Sequence, residues 1–218
     1  MDYDYVVWDF NGTLLDDVMT GIRSVNTLLA ERGLPEISGV EHYRSVFRFP
    51  IIEYYRSLGF DFESEPYEVL APLWVALYLE NVKNAGLFCD VRSTLEKIKE
   101  QGIKQIILSA TEQQMLIEQI RSLEIEGYFE EILGLDNIHA GSKLSLAYDW
   151  RARHHDARVL LIGDTDHDAQ TARALGADCV LVCRGHQSRE HLETIGCPVV
   201  SALDELLSLQ SLHSTKKA

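Results

Sequence analysis

Several things are scarce in this chain, and each shortage excludes something. There are four cysteines, Cys89, Cys179, Cys183 and Cys197, and no two are separated by two residues. That spacing rules out a zinc ribbon or a C-x-x-C redox motif. Three of the four sit late in the chain among apolar neighbours, so they read as reduced, buried thiols of a reducing compartment. No uncharged apolar run is long enough to span a bilayer, and the opening Met1-Asp2-Tyr3-Asp4 lacks the basic-then-apolar order of a signal peptide. The expectation is a soluble, cytoplasmic protein with no membrane partner. Positive charge is short as well: Lys and Arg number 20 against 34 Asp and Glu, for a formal net charge of -14. Such a surface repels phosphate backbones, so nucleic acid is excluded as a partner. A site for an anionic substrate on this chain therefore needs a metal or a few placed cations.

What is present is ordinary globular material. Hydrophobic residues make up 46% and charged residues 25% of 218, enough for one medium domain with an insertion. Tyr5-Val6-Val7-Trp8 reads as a short strand, broken after Asp9 by the turn chemistry of Asn11-Gly12-Thr13. Helical spacing follows. Val18, Ile22, Val25 and Leu28 form one stripe, Tyr43, Val46 and Phe47 a second, and Pro50 opens a third with Ile51, Tyr55 and Leu58. A fourth helix places Val69, Leu70, Leu73, Trp74, Leu77 and Tyr78 on one face. From Gly86 onward strands and helices alternate. Strands are expected at 103–108, 131–135, 159–162 and 179–182, with helices at 92–101, 112–123, 143–154, 166–175, 188–194 and 203–209. This predicts an α/β fold, a Rossmann-like parallel sheet flanked by helices. Residues 1–15 and 86–218 form the core, and an all-helical insertion occupies 16–85. The tail 211–218 is expected to fray.

Ligands of an open parallel sheet bind beyond the carboxyl ends of its strands. Those ends carry Asp9 and Asn11, then Ser109, then Gly163-Asp164-Thr165-Asp166-His167-Asp168, while Lys143 opens the helix between the last two. Convergent carboxylates repel unless a cation lies among them, and oxygen ligands with room for water and phosphate suit Mg²⁺.

These residues resemble the motifs of the haloacid dehalogenase superfamily. Asp9-Phe10-Asn11-Gly12-Thr13-Leu14 is similar to its first motif, D-x-D-G-T-L. Ser109 resembles the second, Lys143 the third and Asp164 to Asp168 the acidic fourth, in the family's order. The helical insertion resembles the family's cap, and Val180-Leu181-Val182 with Gly185-His186-Gln187-Ser188 resembles the phosphoglycolate phosphatase-like branch. The resemblance implies a Mg²⁺-dependent hydrolase of small phosphorylated metabolites, monomeric or homodimeric, with any dimer contact through the cap. Asp9 would be the nucleophile, forming an aspartyl-phosphate. Asp9, the carbonyl of Asn11, and Asp164 would hold the metal, supported by Asp168. Ser109 and the amides of Gly12 and Ala110 would bind phosphate oxygens, and Lys143 would balance charge on the phosphoryl group and Asp9.

The departure is at Asn11. The family's phosphatases carry a second Asp there, which protonates the leaving oxygen and later deprotonates water. An amide does neither, and such acid/base help supplies ~10²–10⁴-fold in rate. Three readings follow. Another residue replaces it, with Asp16, Asp17 or a cap residue as candidates. The enzyme takes acyl or aryl phosphates, whose leaving groups need little protonation. Or the chain is weakly active or non-catalytic and serves binding or regulation. In the cap, Arg48 in Phe47-Arg48-Phe49-Pro50 is the candidate substrate contact, suited to gripping a carboxylate or second phosphate. Asp164-x-Asp166-x-Asp168 is not an EF-hand, because Ala169 and Leu175 replace the required Gly and Glu.

Overall fold

Strand β1 (Tyr5–Trp8) has every residue buried, and the four-residue run is paired on both sides. It lies parallel to β2 (Lys104–Glu112), with Val7 beside Ile106, and parallel to β4 (Val159–Gly163), with Val7 beside Leu161. The computed structural model describes residues 2–138 and 142–208. β3 (Glu131–Leu135), β5 (Asp178–Val182) and the two-residue β6 (Val199–Val200) complete a six-stranded sheet of order β3-β2-β1-β4-β5-β6, parallel at every pairing. The chain travels outward from β1 to β3, then returns to start again at β4. The crevice beside β1 and β4 is thus the switch point where such sheets bind ligands.

Both faces are covered, which is why the strands are continuously apolar. Val6 and Trp8 face one way with Leu95, Ile98, Leu116 and Ile120, carried by α5 (Val91–Glu100) and α6 (Gln113–Ser122). Tyr5 and Val7 face the other way with Ala147 and Trp150 of α7 (Leu144–Arg153) and Ala172 and Leu175 of α8 (Asp166–Leu175). Alternation with period two splits one short strand between two cores. Burying each of the larger side chains contributes roughly 1.5–3 kcal/mol. α8 ends at Gly176, whose φ of 59° is the left-handed C-cap.

Between β1 and β2 lie α1 (Val18–Glu31), α2 (Val40–Val46), α3 (Ile51–Ser57) and α4 (Tyr67–Asn81). Val18, Ile22, Val25, Leu28, Leu29, Tyr43, Tyr54, Tyr55, Leu58 and Leu70 form an apolar cluster of their own. Trp74 packs against this cluster and the sheet's core alike.

The structure corrects several expectations. α4 does not bury one stripe: Val69 and Leu73 are 52% and 44% exposed, while Leu70, Ala71 and Tyr78 are buried. The helix is apolar almost all round, so spacing alone cannot orient it. The thiols are free, but none is fully buried. Cys89 is exposed and the other three are half-buried, because Cys179, Cys183 and Cys197 sit around the β5–β6 edge rather than the sheet's centre. β2 runs four residues beyond Leu108, and the short helix α9 (Arg189–Glu193) and a 3-10 turn at Leu203–Ser208 close the chain's described part. Leu209, the tail 211–218 and Gly141 lie outside the described residues. Among the described residues no helix is long and apolar enough to cross a membrane.

Candidate active site

Asp9 is the residue at which β1 stops, and its carboxylate is nearly buried, at 8% exposure. Lys143 immediately precedes α7 and is 1% exposed. Its Nζ lies 2.5 Å from Asp9 Oδ1 and 2.6 Å from Asp168 Oδ1, and donates to the Leu108 carbonyl at 3.1 Å. An ammonium without solvent is tolerable only when paired in this way. The Thr13 hydroxyl reaches Asp9 Oδ2 at 3.3 Å and Asp164 Oδ1 at 3.0 Å, tying the first strand's end to the fourth's. Asp164 Oδ2 accepts the His186 amide at 2.6 Å. Asp168 Oδ2 accepts the amides of Asp164 and Thr165 at 3.1 and 2.9 Å and the Thr165 hydroxyl at 2.7 Å. Both oxygens of Asp168 are therefore occupied, and its place is that of an anchor for Lys143 and the β4–α8 turn.

One oxygen each from Asp9, Asp164 and Asp168 lie within 4.8 Å of one another. Three carboxylates around one ammonium leave negative charge uncompensated. Burial and then Asp168 push the Asp9 carboxyl well above the usual range, with Lys143 opposing. Burial raises Asp164 to about 6, against the pull of His186. At Asp168 burial also acts upward, but Lys143 and the Thr165 hydroxyl outweigh it and hold that carboxyl low. An all-oxygen cluster still short of positive charge fits a hard divalent cation. Gly12 is required here: its φ is 72°, and a Cβ would lie 2.4 Å from Asp164 Oδ2 and 2.7 Å from the His186 ring. Gly185 is equally pressed, with a Cβ meeting Asp164 Oδ2 at 2.0 Å.

Asn11 sits in a network that sequence reasoning did not contain. Its Nδ2 donates to Asp17 Oδ2 at 2.8 Å and lies 2.7 Å from the Tyr78 hydroxyl, which itself donates to Asp17 Oδ2 at 2.7 Å. Asn11 Oδ1 accepts from Thr111 Oγ1 at 2.8 Å. Burial acts to raise Asp17, yet the His186 imidazolium and the hydrogen bonds from His186, Tyr78 and Asn11 hold it below the ordinary value. In return Asp17 lifts His186 to about 9, against a burial effect of opposite sign. A second carboxylate at position 11 would face that of Asp17, so an amide is the residue that fits beside it. Asp16 is exposed and belongs to no such network.

Ser109, Ala110 and Lys143 line the same cavity as Asp9, Asn11, Asp164 and Asp168. Ser109 is buried, and its hydroxyl pairs with the Thr111 hydroxyl and amide, each at 3.1 Å. Two expected contacts are not brought in. The Gly12 amide already donates to Asp17 Oδ1 at 2.8 Å and to the Leu15 carbonyl at 3.0 Å, so it is not free for a phosphate oxygen. Arg48 is exposed, bonds the Val46 carbonyl at 3.0 Å and does not line the cavity. The break between α2 and α3 turns its side chain outward and turns the flanking rings inward. Phe47 stacks on His186 at 5.0 Å and Phe49 on His167 at 4.6 Å. Arg44, rather than Arg48, crosses to the sheet, donating to the carbonyls of Gly185 at 2.9 Å and Arg184 at 2.7 Å.

A buried acid at the tip of the central strand, held by a lysine at the switch point and roofed by inserted helices, marks a Rossmann-like α/β protein with its candidate site at the strand ends. Residues 6–182 match the family model for haloacid dehalogenase-like hydrolases, and the chain is an enzyme of that family. It is 22% identical over 210 residues to a phosphoglycolate phosphatase of Aliivibrio fischeri, covering 92% of each chain. It is 24% identical to a phosphoglycolate phosphatase of Caulobacter vibrioides, over 89% of this chain and 85% of that one. Its fold is similar to that of a haloacid dehalogenase-like hydrolase of Streptococcus pneumoniae, with a TM-score of 0.80, 20% identity and 94% and 97% of the two chains covered.

Proposed function

We propose that the protein is a Mg²⁺-dependent hydrolase of small phosphomonoesters that works through an aspartyl-phosphate at Asp9. The observation carrying this reading is Lys143 Nζ set between Asp9 and Asp168, with Asp164 completing a buried three-carboxylate cluster. The names of its relatives favour it too. Asp9, the Asn11 carbonyl and Asp164 would hold the ion, which supplies positive charge to the phosphoryl oxygens and the attacking carboxylate. A carboxylate oxygen of Asp9 attacks phosphorus as the ester P–O bond breaks and the leaving oxygen departs with the electron pair. Water then cleaves the acyl phosphate, releasing phosphate and restoring Asp9. Ser109 and Ala110 would bind the phosphoryl oxygens, the Ser109 hydroxyl giving up its bond to Thr111. Lys143 would exchange one of its present acceptors for a phosphoryl oxygen, and residues 16–85 act as the cap. The test is phosphate release from a panel of monoesters with Mg²⁺ and with a chelator. Release indifferent to the chelator sinks the proposal.

Two further results are expected. A carboxyl whose folded-state pKa lies above its unfolded value supports the fold at low pH and loses that support as pH rises through the folded value. Asp164, raised to about 6, and Asp9, raised in the same sense, thus weaken the metal-free protein progressively as pH rises above the ordinary carboxyl value of ~4, the Asp164 part being complete above about 6. Mg²⁺ binds the ionised forms and offsets the loss. At roughly 100 times its Kd the ion should raise Tm by about 5–10 °C near pH 7.5 and hardly at all near pH 5. Equal shifts at the two pH values would contradict the assignment.

The other concerns Asn11. Without an acid/base at that position, phosphoenzyme should form in a burst and turn over slowly. Asn11→Asp alone should lose about 1–3 kcal/mol of stability at neutral pH, because a carboxylate replaces the amide that donates to Asp17. Adding Asp17→Asn exchanges amide and acid across the same hydrogen bond. The double variant should regain that stability and turn over about 10²-fold faster. Stopped-flow and urea titration read both effects, and linear parent kinetics from the first turnover would contradict the account.

A further inference from the structure

Resting on the phosphomonoester reading, we infer that the cap selects an aromatic leaving group bearing no carboxylate, so that the substrate class is aryl phosphates and not phosphorylated small carboxylic acids. The cavity above Asp9 measures ≈ 160 Å³, on the scale of the ~150 Å³ apolar cavity that takes up one benzene ring. Phe47, Phe49, Tyr54, Tyr55, Trp74 and Met115 line it, a wall that offers dispersion and ring stacking. It offers a carboxylate no cation. Among the described residues Lys143 is the one Lys or Arg on the lining, and its ammonium is held by Asp9 and Asp168. The cap's own guanidinium groups are elsewhere. Arg32 pairs with Glu65 at 2.6 Å, Arg44 holds backbone carbonyls, Arg56 pairs with Glu53, and Arg23 and Arg48 are exposed. His186 lines the cavity, but its Nδ1 lies 2.8 Å from the Tyr43 hydroxyl and its Nε2 3.5 Å from Asp17, which balances its charge. Asp17 and Glu112 add negative charge to the rim.

Asn11 points to the same class by an independent route. A phenol ionises near 10, whereas an alcohol lies close to water's value of about 15.7. An aryloxide therefore leaves with its electron pair and is protonated afterwards by solvent, which removes the need for the acid that position 11 lacks. One polar feature refines the choice. Tyr54 lines the cavity at 3% exposure, and its hydroxyl has no hydrogen-bond partner among the described residues. A buried hydroxyl left unpaired is unfavourable, so a ring bearing a hydrogen-bonding substituent supplies the missing partner.

The test is calorimetric titration of the full chain in Mg²⁺ with two non-hydrolysable probes, phenylphosphonate and phosphonoacetate. Phenylphosphonate should bind at least ~10-fold more tightly, since a carboxylate set against aromatic rings loses its water and meets no cation to offset that loss. Equal or reversed affinities overturn the inference. Among the ortho-, meta- and para-hydroxy derivatives, at least one should bind more tightly than phenylphosphonate and lose that advantage in Tyr54→Phe. An advantage that survives Tyr54→Phe removes Tyr54 from the proposal. In turnover, kcat/KM for phenyl phosphate should exceed that for phosphoglycolate by ~10²-fold or more. Preferential phenylphosphonate binding with no ester hydrolysed upholds the pocket and sinks the phosphatase reading. Faster phosphoglycolate turnover that depends on Asp9 does the reverse.

Discussion

Asp9→Asn should reduce phosphate release by on the order of 10⁴–10⁶-fold, the scale on which loss of a nucleophile is felt when the rest of its machinery remains. The substitution is nearly isosteric, and the amide oxygen still accepts from Lys143, now 2.5 Å from Asp9 Oδ1. The fold should survive. It should even gain stability at neutral pH, because a buried carboxyl whose ionisation burial and Asp168 oppose has been removed. The paired readout separates chemistry from folding: rate collapses while Tm holds or rises, and acid-quenched protein yields no phosphoenzyme. Parent and variant hydrolysing an aryl phosphate at matching rates would leave a binding or regulatory protein as the surviving account.

Lys143→Met should have the opposite signature on stability. The ammonium is the sole Lys or Arg contact of both Asp9 and Asp168 among the described residues. Removing it strands two buried carboxylates beside each other, and breaking such a pair typically costs about 3–5 kcal/mol. The side chains then titrate upward. The deficit should shrink as pH falls toward 5 and the carboxyls accept protons, and it should be largest at neutral pH, where they must stay charged. Activity should fall by at least ~10²–10³-fold, as when a placed transition-state charge is deleted. Urea titrations across pH check the first part. A loss below about 1 kcal/mol, or one that grows as pH falls, would show that Lys143 is not the group neutralising this cluster.

The parts of the site that were legible are those fixed by position along a strand. Asp9, Ser109 and Asp164 stand where apolar runs meet polar residues, and a parallel sheet brings all such ends to one rim. Lys143 was legible for a related reason, since a cation immediately before a helix is misplaced unless something anionic holds it. What escaped was whatever depends on the third dimension. Leu108 closes the apolar run, yet β2 continues to Glu112 through an irregular pairing with β3, which carries Thr111 to Asn11. Tyr78, Tyr43 and His186 come from α4, α2 and the loop after β5, with no spacing to link them. The sequence signal available was an Asn beside a nearby Asp17, which a paired donor and acceptor would explain. Arg48 shows the converse: it lies at a helix break between aromatics, and there the rings turn inward while the guanidinium faces water.

Arg44 has a wider implication. Its guanidinium grips the carbonyls of Arg184 and Gly185, and the next amide along, that of His186, holds Asp164. Helix α2 is thereby joined through a single loop to Asp164, which on the proposed function would be a ligand of the cation. On the proposed function such linkage would be reciprocal: an ion on Asp164 would favour the Arg44 contact, and loss of that contact would loosen Asp164. Product escape and cofactor retention would then be two ends of one lever, and an Arg44→Ala variant would be expected to hold Mg²⁺ more weakly.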